Sequence, residues 1–222
     1  MAEISEKQIK EIVQRVVASY NQKGTSDAST AGYTSTSYNG RPFVGIFDDM
    51  NEAIKAASNG YQKVHNMSVE EREKIITEIR KLTRAEARIM AEIGVKETKM
   101  GRVDHKYAKH LLVADKTPGT EDIISNAKTG AGGLTLIEMA PFGVVGSITP
   151  STNPSETVIC NSIGMIAAGN GVVFNPHPNA VCTSNYAVDL VNRASKAAGG
   201  PDILVASMAK PTMESSAIMQ SH

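Results

Sequence analysis

Gly-Val-Val-Gly-Ser-Ile-Thr-Pro-Ser-Thr-Asn-Pro at residues 143–154, followed by Gly-Val-Val-Phe-Asn-Pro-His-Pro at 171–178, decides the architecture of this chain. Each segment opens with an uncharged run of small and β-branched residues without polar alternation, the pattern of a strand buried on both faces. Each then closes in a proline-containing polar loop. Between and beyond them, 155–168 reads as a helix starting just after Pro154, and 179–198 as a second helix ending at Gly199-Gly200. Residues 203–206 form a third strand, and a last helix begins at Pro211. Upstream, 134–139 is a strand candidate closed by Pro141. Strands alternating with helices over short connections give right-handed crossovers and a parallel sheet. The expected fold is α/β: a helical N-terminal region, then about half of a doubly wound, Rossmann-like parallel sheet.

Charge supports the division. Residues 1–130 carry 20 basic and 18 acidic side chains, and residues 131–222 carry only 3 and 5. The first part therefore reads as solvated helices, the second as elements covered on several sides, with the boundary near 130–133. Over the whole chain 23 Lys+Arg balance 23 Asp+Glu, so no basic field exists to hold nucleic acid or an anionic membrane. Two cysteines in 222 residues do not make a disulfide scaffold. The opening Met-Ala-Glu-Ile-Ser-Glu has neither the basic nor the apolar region of a signal peptide. The longest stretch without Asp, Glu, Lys or Arg, 157–188, contains Asn161, Asn170, Asn175, Pro176, His177 and Pro178 and does not read as a lipid-spanning helix. A soluble cytoplasmic chain is expected.

Four regions follow. Residues 1–20 hold an amphipathic helix over 3–20, with Ile9, Ile12, Val13, Val16, Val17 and Tyr20 on one face and Glu6, Lys7, Lys10, Glu11 and Gln14 on the other. Residues 21–43 form a flexible linker, almost all Gly, Ser, Thr, Asn, Asp, Gln, Ala or Tyr as far as Asn39. Residues 44–133 are helical. Asp48 or Asp49 caps a helix over 50–65. Ser68-Val-Glu-Glu71 is a capping box opening a long helix to about Val95, and a further helix covers 102–114. A short helical turn is expected over 122–127. Gly130-Ala-Gly-Gly133 is a flexible connection, because it lacks the Gly-Lys-Ser/Thr ending of a phosphate loop and no strand leads into it. Residues 134–222 carry the partial sheet.

Ligands of open α/β sheets bind beyond the carboxyl ends of the strands, where Pro150-Ser-Thr-Asn-Pro154 and Pro176-His-Pro178 fall. A helix N-terminus after each loop offers free N–H groups to an anion. No G-x-G-x-x-G is present and no acid closes the second strand, so the residues alone support a nucleotide or phosphate site. Asn153 could equally initiate the next helix through an Asx turn. Cys160, mid-helix, reads as a buried, inert thiol. Cys182, about a turn into a helix, has a thiol pKa slightly lowered by the helix dipole but no supporting motif. His105 and His110, five apart, share no helix face, so no metal site is expected.

The segments 140–154 and 166–178 together resemble the aldehyde dehydrogenase superfamily, and Asn-Pro-His-Pro at 175–178 resembles its CoA-acylating branch. Glu97-Thr-Lys-Met-Gly101 and the helix before it are similar to that family's N-terminal region. The terminal helix plus linker is similar to the targeting extension of ethanolamine- and propanediol-utilisation enzymes packed in bacterial microcompartments. The resemblance implies an aldehyde-dehydrogenase-like fold with a partial dinucleotide-binding domain over 134–222. It implies oxidation of a short aldehyde, of the acetaldehyde or propanal class, with CoA and NAD to acyl-CoA and NADH. By the same resemblance Asn153 donates to the oxyanion formed when a cysteine attacks the aldehyde. Thr149, Pro150, Ser151 and Thr152 match the loop along the nicotinamide end of the cofactor, and Asn175, His177 and Pro178 the segment near the adenosine ribose. Asn175 replaces a lysine common in relatives, which leaves both NAD and NADP open. Lys210 and Glu214 fall near positions that are often glycine, so the adenine end is expected to differ. The family's nucleophilic cysteine lies beyond His222 in this reading, which makes the chain a fragment, inactive alone, of a homo-oligomeric enzyme of the microcompartment lumen. The alternative is a non-catalytic cargo or assembly module docking on a shell or cargo protein through residues 3–20.

Overall fold

The computed structural model describes residues 32–222. The helix expected over 3–20 and the linker as far as residue 31 lie outside the described residues.

The central sheet runs β3 (Ile46–Phe47), β8 (Val205–Met208), β7 (Gly171–Pro176), β6 (Val144–Thr149), all parallel. β7 is central and every one of its residues is buried, as its uncharged Val-Val-Phe run requires. Alternate side chains of β7 and β8 feed different layers. Val172, Phe174 and Val205 pack with α2 (Val69–Thr98), α4 (Pro154–Ala167) and α5 (Val181–Ala197). Val173, Ala206 and Met208 pack with α1 (Met50–His65) and α6 (Met213–Ser221). α1 lies close to the strands because its inner face is Ala53, Ala57 and Gly60; a Cβ on Gly60 would stand 2.3 Å from the Ile203 carbonyl oxygen. Edge strand β3 and helix α1 precede 130–133 in the chain, yet they extend and cover the sheet that follows it.

The helix starts obey local chemistry. Of the two aspartates before α1, Asp49 is the cap, accepting the Glu52 N–H at 3.0 Å. The capping box of α2 is complete: Ser68 Oγ accepts from Glu71 N–H at 3.2 Å and Glu71 Oε2 accepts from Ser68 N–H at 2.8 Å. α3 spans Val103–Lys116.

Three expectations need correction. Residues 32–43 are not linker: β1 (Ser37–Tyr38) and β2 (Arg41–Pro42) pair antiparallel across Asn39-Gly40, whose positive φ angles of 47° and 76° suit a tight hairpin turn. This hairpin is anchored on α5. Tyr38 and Phe43 pack edge-on against Tyr186 at 5.2 and 5.8 Å, and Arg41 grips the fully buried Asp189 carboxylate at 2.9 and 2.7 Å. Second, the turn over 122–127 is a three-residue 3₁₀ turn at Thr120–Asp122, and β4 (Asn126–Gly130) begins where helix was expected. Third, Gly130-Ala-Gly-Gly133 is the tip of a second antiparallel hairpin joining β4 to β5 (Gly133–Ile137). The strand expected over 134–139 thus pairs with β4 and not with the central sheet. β4, Asn-Ala-Lys-Thr-Gly, carries no apolar alternation because the whole hairpin is exposed.

Candidate active site

The β6–β7 register runs to Thr149 opposite Pro176, and His177 N–H then donates to the Thr149 carbonyl at 3.1 Å. The two polar loops therefore leave the sheet side by side. Thr149 is buried, its hydroxyl 3.3 Å from that of Ser184. Pro150 and Thr152 are exposed and Ser151 is half-buried. His177 Nδ1 accepts the Asn179 N–H at 3.1 Å, which puts the proton of the neutral ring on Nε2, facing away from its own backbone. Pro178, exposed, opens the 3₁₀ turn Pro178–Ala180. Asn175 behaves otherwise. Its amide is buried, accepting from Ser215 Oγ at 2.9 Å and donating to Ser216 Oγ at 2.6 Å, so it fixes the first turn of α6. Lys210 and Glu214 are both exposed at that end of the molecule.

Asn153 stands immediately before α4, yet its side chain makes no capping bond. The Asx-turn reading is not what the chain adopts. Instead Asn153 Oδ1 accepts from Lys109 Nζ at 2.8 Å. Among the described residues its Nδ2 donates to nothing. One residue earlier, the Thr152 carbonyl accepts from Lys106 Nζ. Lys106 is only 5% exposed and pairs with the equally buried Glu156, Nζ to Oε1 3.1 Å. His110, fully buried, bridges the same two helices, with Nδ1 2.7 Å from the Lys106 carbonyl and Nε2 2.7 Å from Ser155 Oγ. The carbonyl can only accept, so Nδ1 carries the proton and Nε2 accepts the serine hydroxyl. Burial pushes the His110 pKa down, against the opposing pull of Glu156, and keeps this ring neutral. No sequence motif marks this buried network. The available signal was that Lys106, His110 and Ala114 recur every four residues, so the inner stripe of α3 had to bury polar groups.

The surroundings of both cysteines differ from expectation. Cys160 is exposed, because α4 turns Val158, Ile159, Ser162, Ile163 and Ile166 inward and leaves position 160 outside. Cys182 is the disfavoured nucleophile. The Glu97 carboxylate already occupies the N-terminus of α5, accepting Cys182 N–H and Thr183 N–H at 2.8 Å each. Burial first, and the Glu97 charge second, drive the Cys182 thiol pKa far up instead of slightly down. The same contacts take up the Cys182 and Thr183 N–H groups, so these two are not free for an anion. Alkylation of the folded chain with iodoacetamide at neutral pH should therefore label Cys160 and spare Cys182, as peptide mass spectrometry will read; the reverse pattern would contradict these surroundings. Among the described residues, no group of three or more His, Cys, Asp or Glu side chains could hold a metal ion.

The sequence profile of the aldehyde dehydrogenase family matches residues 45–222, which include both loops, Asn153 and the whole central sheet. The chain belongs to the aldehyde dehydrogenase family. It is 43% identical over 213 residues to the acetylating acetaldehyde dehydrogenase of Bilophila wadsworthia, a match covering 95% of this chain and 44% of that one. Among solved structures it resembles a propionaldehyde dehydrogenase from the Clostridium phytofermentans fucose utilisation bacterial microcompartment, with 60% identity, a TM-score of 0.79, and 81% of this chain against 41% of that one. It also resembles the Rhodopseudomonas palustris propionaldehyde dehydrogenase solved with bound propionyl-CoA, at 40% identity and a TM-score of 0.78 over 90% of this chain and 43% of that one. The chain thus spans less than half the length of these relatives. Both the α/β fold and the resemblance to the acylating branch hold for this aldehyde dehydrogenase chain.

Proposed function

We propose that this chain forms the cofactor-binding part of a CoA-acylating aldehyde dehydrogenase, which converts a short aldehyde of the acetaldehyde or propanal class, with CoA and NAD, to acyl-CoA and NADH. The observation that carries the reading is the Asn153 amide. It sits at the carboxyl edge of the sheet, is not used as a helix cap, and is held by its oxygen so that its N–H₂ end is free to donate. A developing alkoxide needs such a preorganised donor.

The residues present also fit a dinucleotide. The loop of Thr149, Pro150, Ser151 and Thr152 carries no charge, and the one acid in the first turn of α4, Glu156, is neutralised by Lys106. No carboxylate in these loops opposes the phosphates of the cofactor. Thr149 to Thr152 would lie along its nicotinamide end, and His177 and Pro178 near its adenosine ribose, with His177 presenting Nε2–H. Asn175 serves that end through α6, whose first turn it holds, and this reading accommodates NADP as well as NAD. The cofactor, when bound, accepts the hydride. The chain's own part is to orient it and to steady the oxyanion through Asn153. The nucleophile is assigned to neither Cys160 nor Cys182.

The branch resemblance and the microcompartment relative support a location in the cytoplasm, within a microcompartment lumen, with residues 3–20 docking on a shell or cargo protein. The exposed β4–β5 hairpin and the segment after it, with Leu134, Met139 and Phe142 68%, 77% and 96% exposed, support a homo-oligomer that covers them. The cofactor assignment is tested on the chain itself. Titration of isotope-labelled protein with NAD⁺ should shift the backbone amides of Thr149, Ser151, Thr152, Asn153, His177 and Asn179 and leave the β4–β5 hairpin unmoved. Shifts elsewhere, or none, would overturn it.

A further inference from the structure

An asparagine amide has two faces of opposite use. Rotated by 180° about its last bond, it presents an acceptor oxygen where it had presented donors, and an oxyanion would be repelled instead of held. Something must choose between the two orientations at Asn153, and its own helix does not, since the side chain makes no capping bond.

The neighbouring helix does. α3 places two lysines one turn apart, and they grip consecutive residues: Lys106 takes the Thr152 carbonyl and Lys109 takes Asn153 Oδ1 at 2.8 Å. A lysine ammonium has three donors and no acceptor, so it can bond the oxygen of the amide and never its nitrogen. We propose that Lys109 is a positioning residue for the oxyanion donor: by fixing the Asn153 oxygen, it commits the Nδ2 hydrogens to the reacting side. The inference rests on the oxyanion reading given above for Asn153. The two lysines differ in what else they do. Lys106 is neutralised by Glu156 in a buried pair, whereas Lys109 is exposed and, among the described residues, has no carboxylate partner. Its charge acts on the amide, polarising it toward a stronger N–H donor. An exposed lysine of this kind contributes little to stability, so its loss can be read in catalysis without unfolding the protein.

The test has two arms. In the 222-residue chain, labelled at nitrogen, the Asn153 side-chain amide signal is identified by its disappearance in Asn153→Ala. Lys109→Met should move that signal while the melting temperature stays put, and Lys109→Arg should return it toward its original position. An unmoved signal in Lys109→Met would overturn the contact. In the active gene product, Lys109→Met should lower kcat by about tenfold, part of the full loss expected from removing one oxyanion donor. The aldehyde KM should stay within about twofold, as expected for an interaction made only in the transition state, and Lys109→Arg should recover most of the rate. Combined with Asn153→Ala, Lys109→Met should cost nothing further, because it acts only through that amide. If the two losses multiply, or if Lys109→Met retains the parent kcat, Lys109 does not position Asn153. If Asn153→Ala itself retains full rate, the oxyanion reading fails first, and is recognised as that separate failure.

Discussion

Asn153→Ala in the active enzyme should lower kcat by about 10²–10³-fold, the usual cost of removing one oxyanion donor. The aldehyde KM should change little, because the interaction is made in the transition state and not with the ground-state carbonyl. Stability should also change little, and here the structure sharpens the expectation. An asparagine that caps a helix costs typically ~1 kcal/mol when replaced by alanine. Asn153 makes no capping bond, and its oxygen is spent on an exposed lysine. A variant that melts early but turns over normally would make Asn153 an ordinary helix-start residue. A variant that folds normally and is slow identifies it as part of the catalytic apparatus. The measurement is a steady-state comparison of kcat and KM beside a thermal melt of the same two proteins.

Lys106→Met should destabilise the chain by about 3–5 kcal/mol, the range found when one partner of a buried ion pair is removed. Lys106 and Glu156 are each only 5% exposed. Methionine fills the stem of the lysine but leaves the Glu156 carboxylate buried without its cation and the Thr152 carbonyl without its donor. The Thr152–Asn153 loop should loosen with it, so activity in the full enzyme falls as well. A companion variant separates charge from packing: Lys106→Met with Glu156→Leu removes both charges and should recover part of the loss, since a pair of apolar residues carries no desolvation cost. Urea unfolding at fixed pH reads both. Equal stability of Lys106→Met and the parent would mean that the pair is solvated and does not hold the loop.

The sheet was readable because β7 is buried on both faces and lacks polar alternation over 171–176. β6, with the same apolar composition, is an edge strand that leaves Gly146 and Ile148 exposed, so its expected burial on both faces does not hold. The capping box at Ser68 was readable for a similarly local reason: its two bonds join residues three apart. What the sequence hid depended on distant partners. Residues 32–43 have a linker's composition, and only Tyr186 and Asp189, some 150 positions away, make a docked hairpin of them; the one local hint was Asn39-Gly40. β4 has no apolar stripe because it faces solvent, so periodicity had nothing to detect. Glu97 belongs to a recognisable motif, but its effect on Cys182 arises across 85 positions. In the site, the loop sequence pointed to Asn153, while Lys106, Lys109 and His110 lay in a helix with no motif, and only packing against α4 gives them a role.

The most direct test of the account is to purify the gene product from the cells that make it and supply propanal, CoA and NAD⁺, following propionyl-CoA by mass spectrometry and NADH by absorbance. The account predicts propionyl-CoA and NADH in equal amounts from that protein, and neither from the 222-residue chain alone. Propionate with no propionyl-CoA, or turnover by the 222 residues unaided, would contradict it.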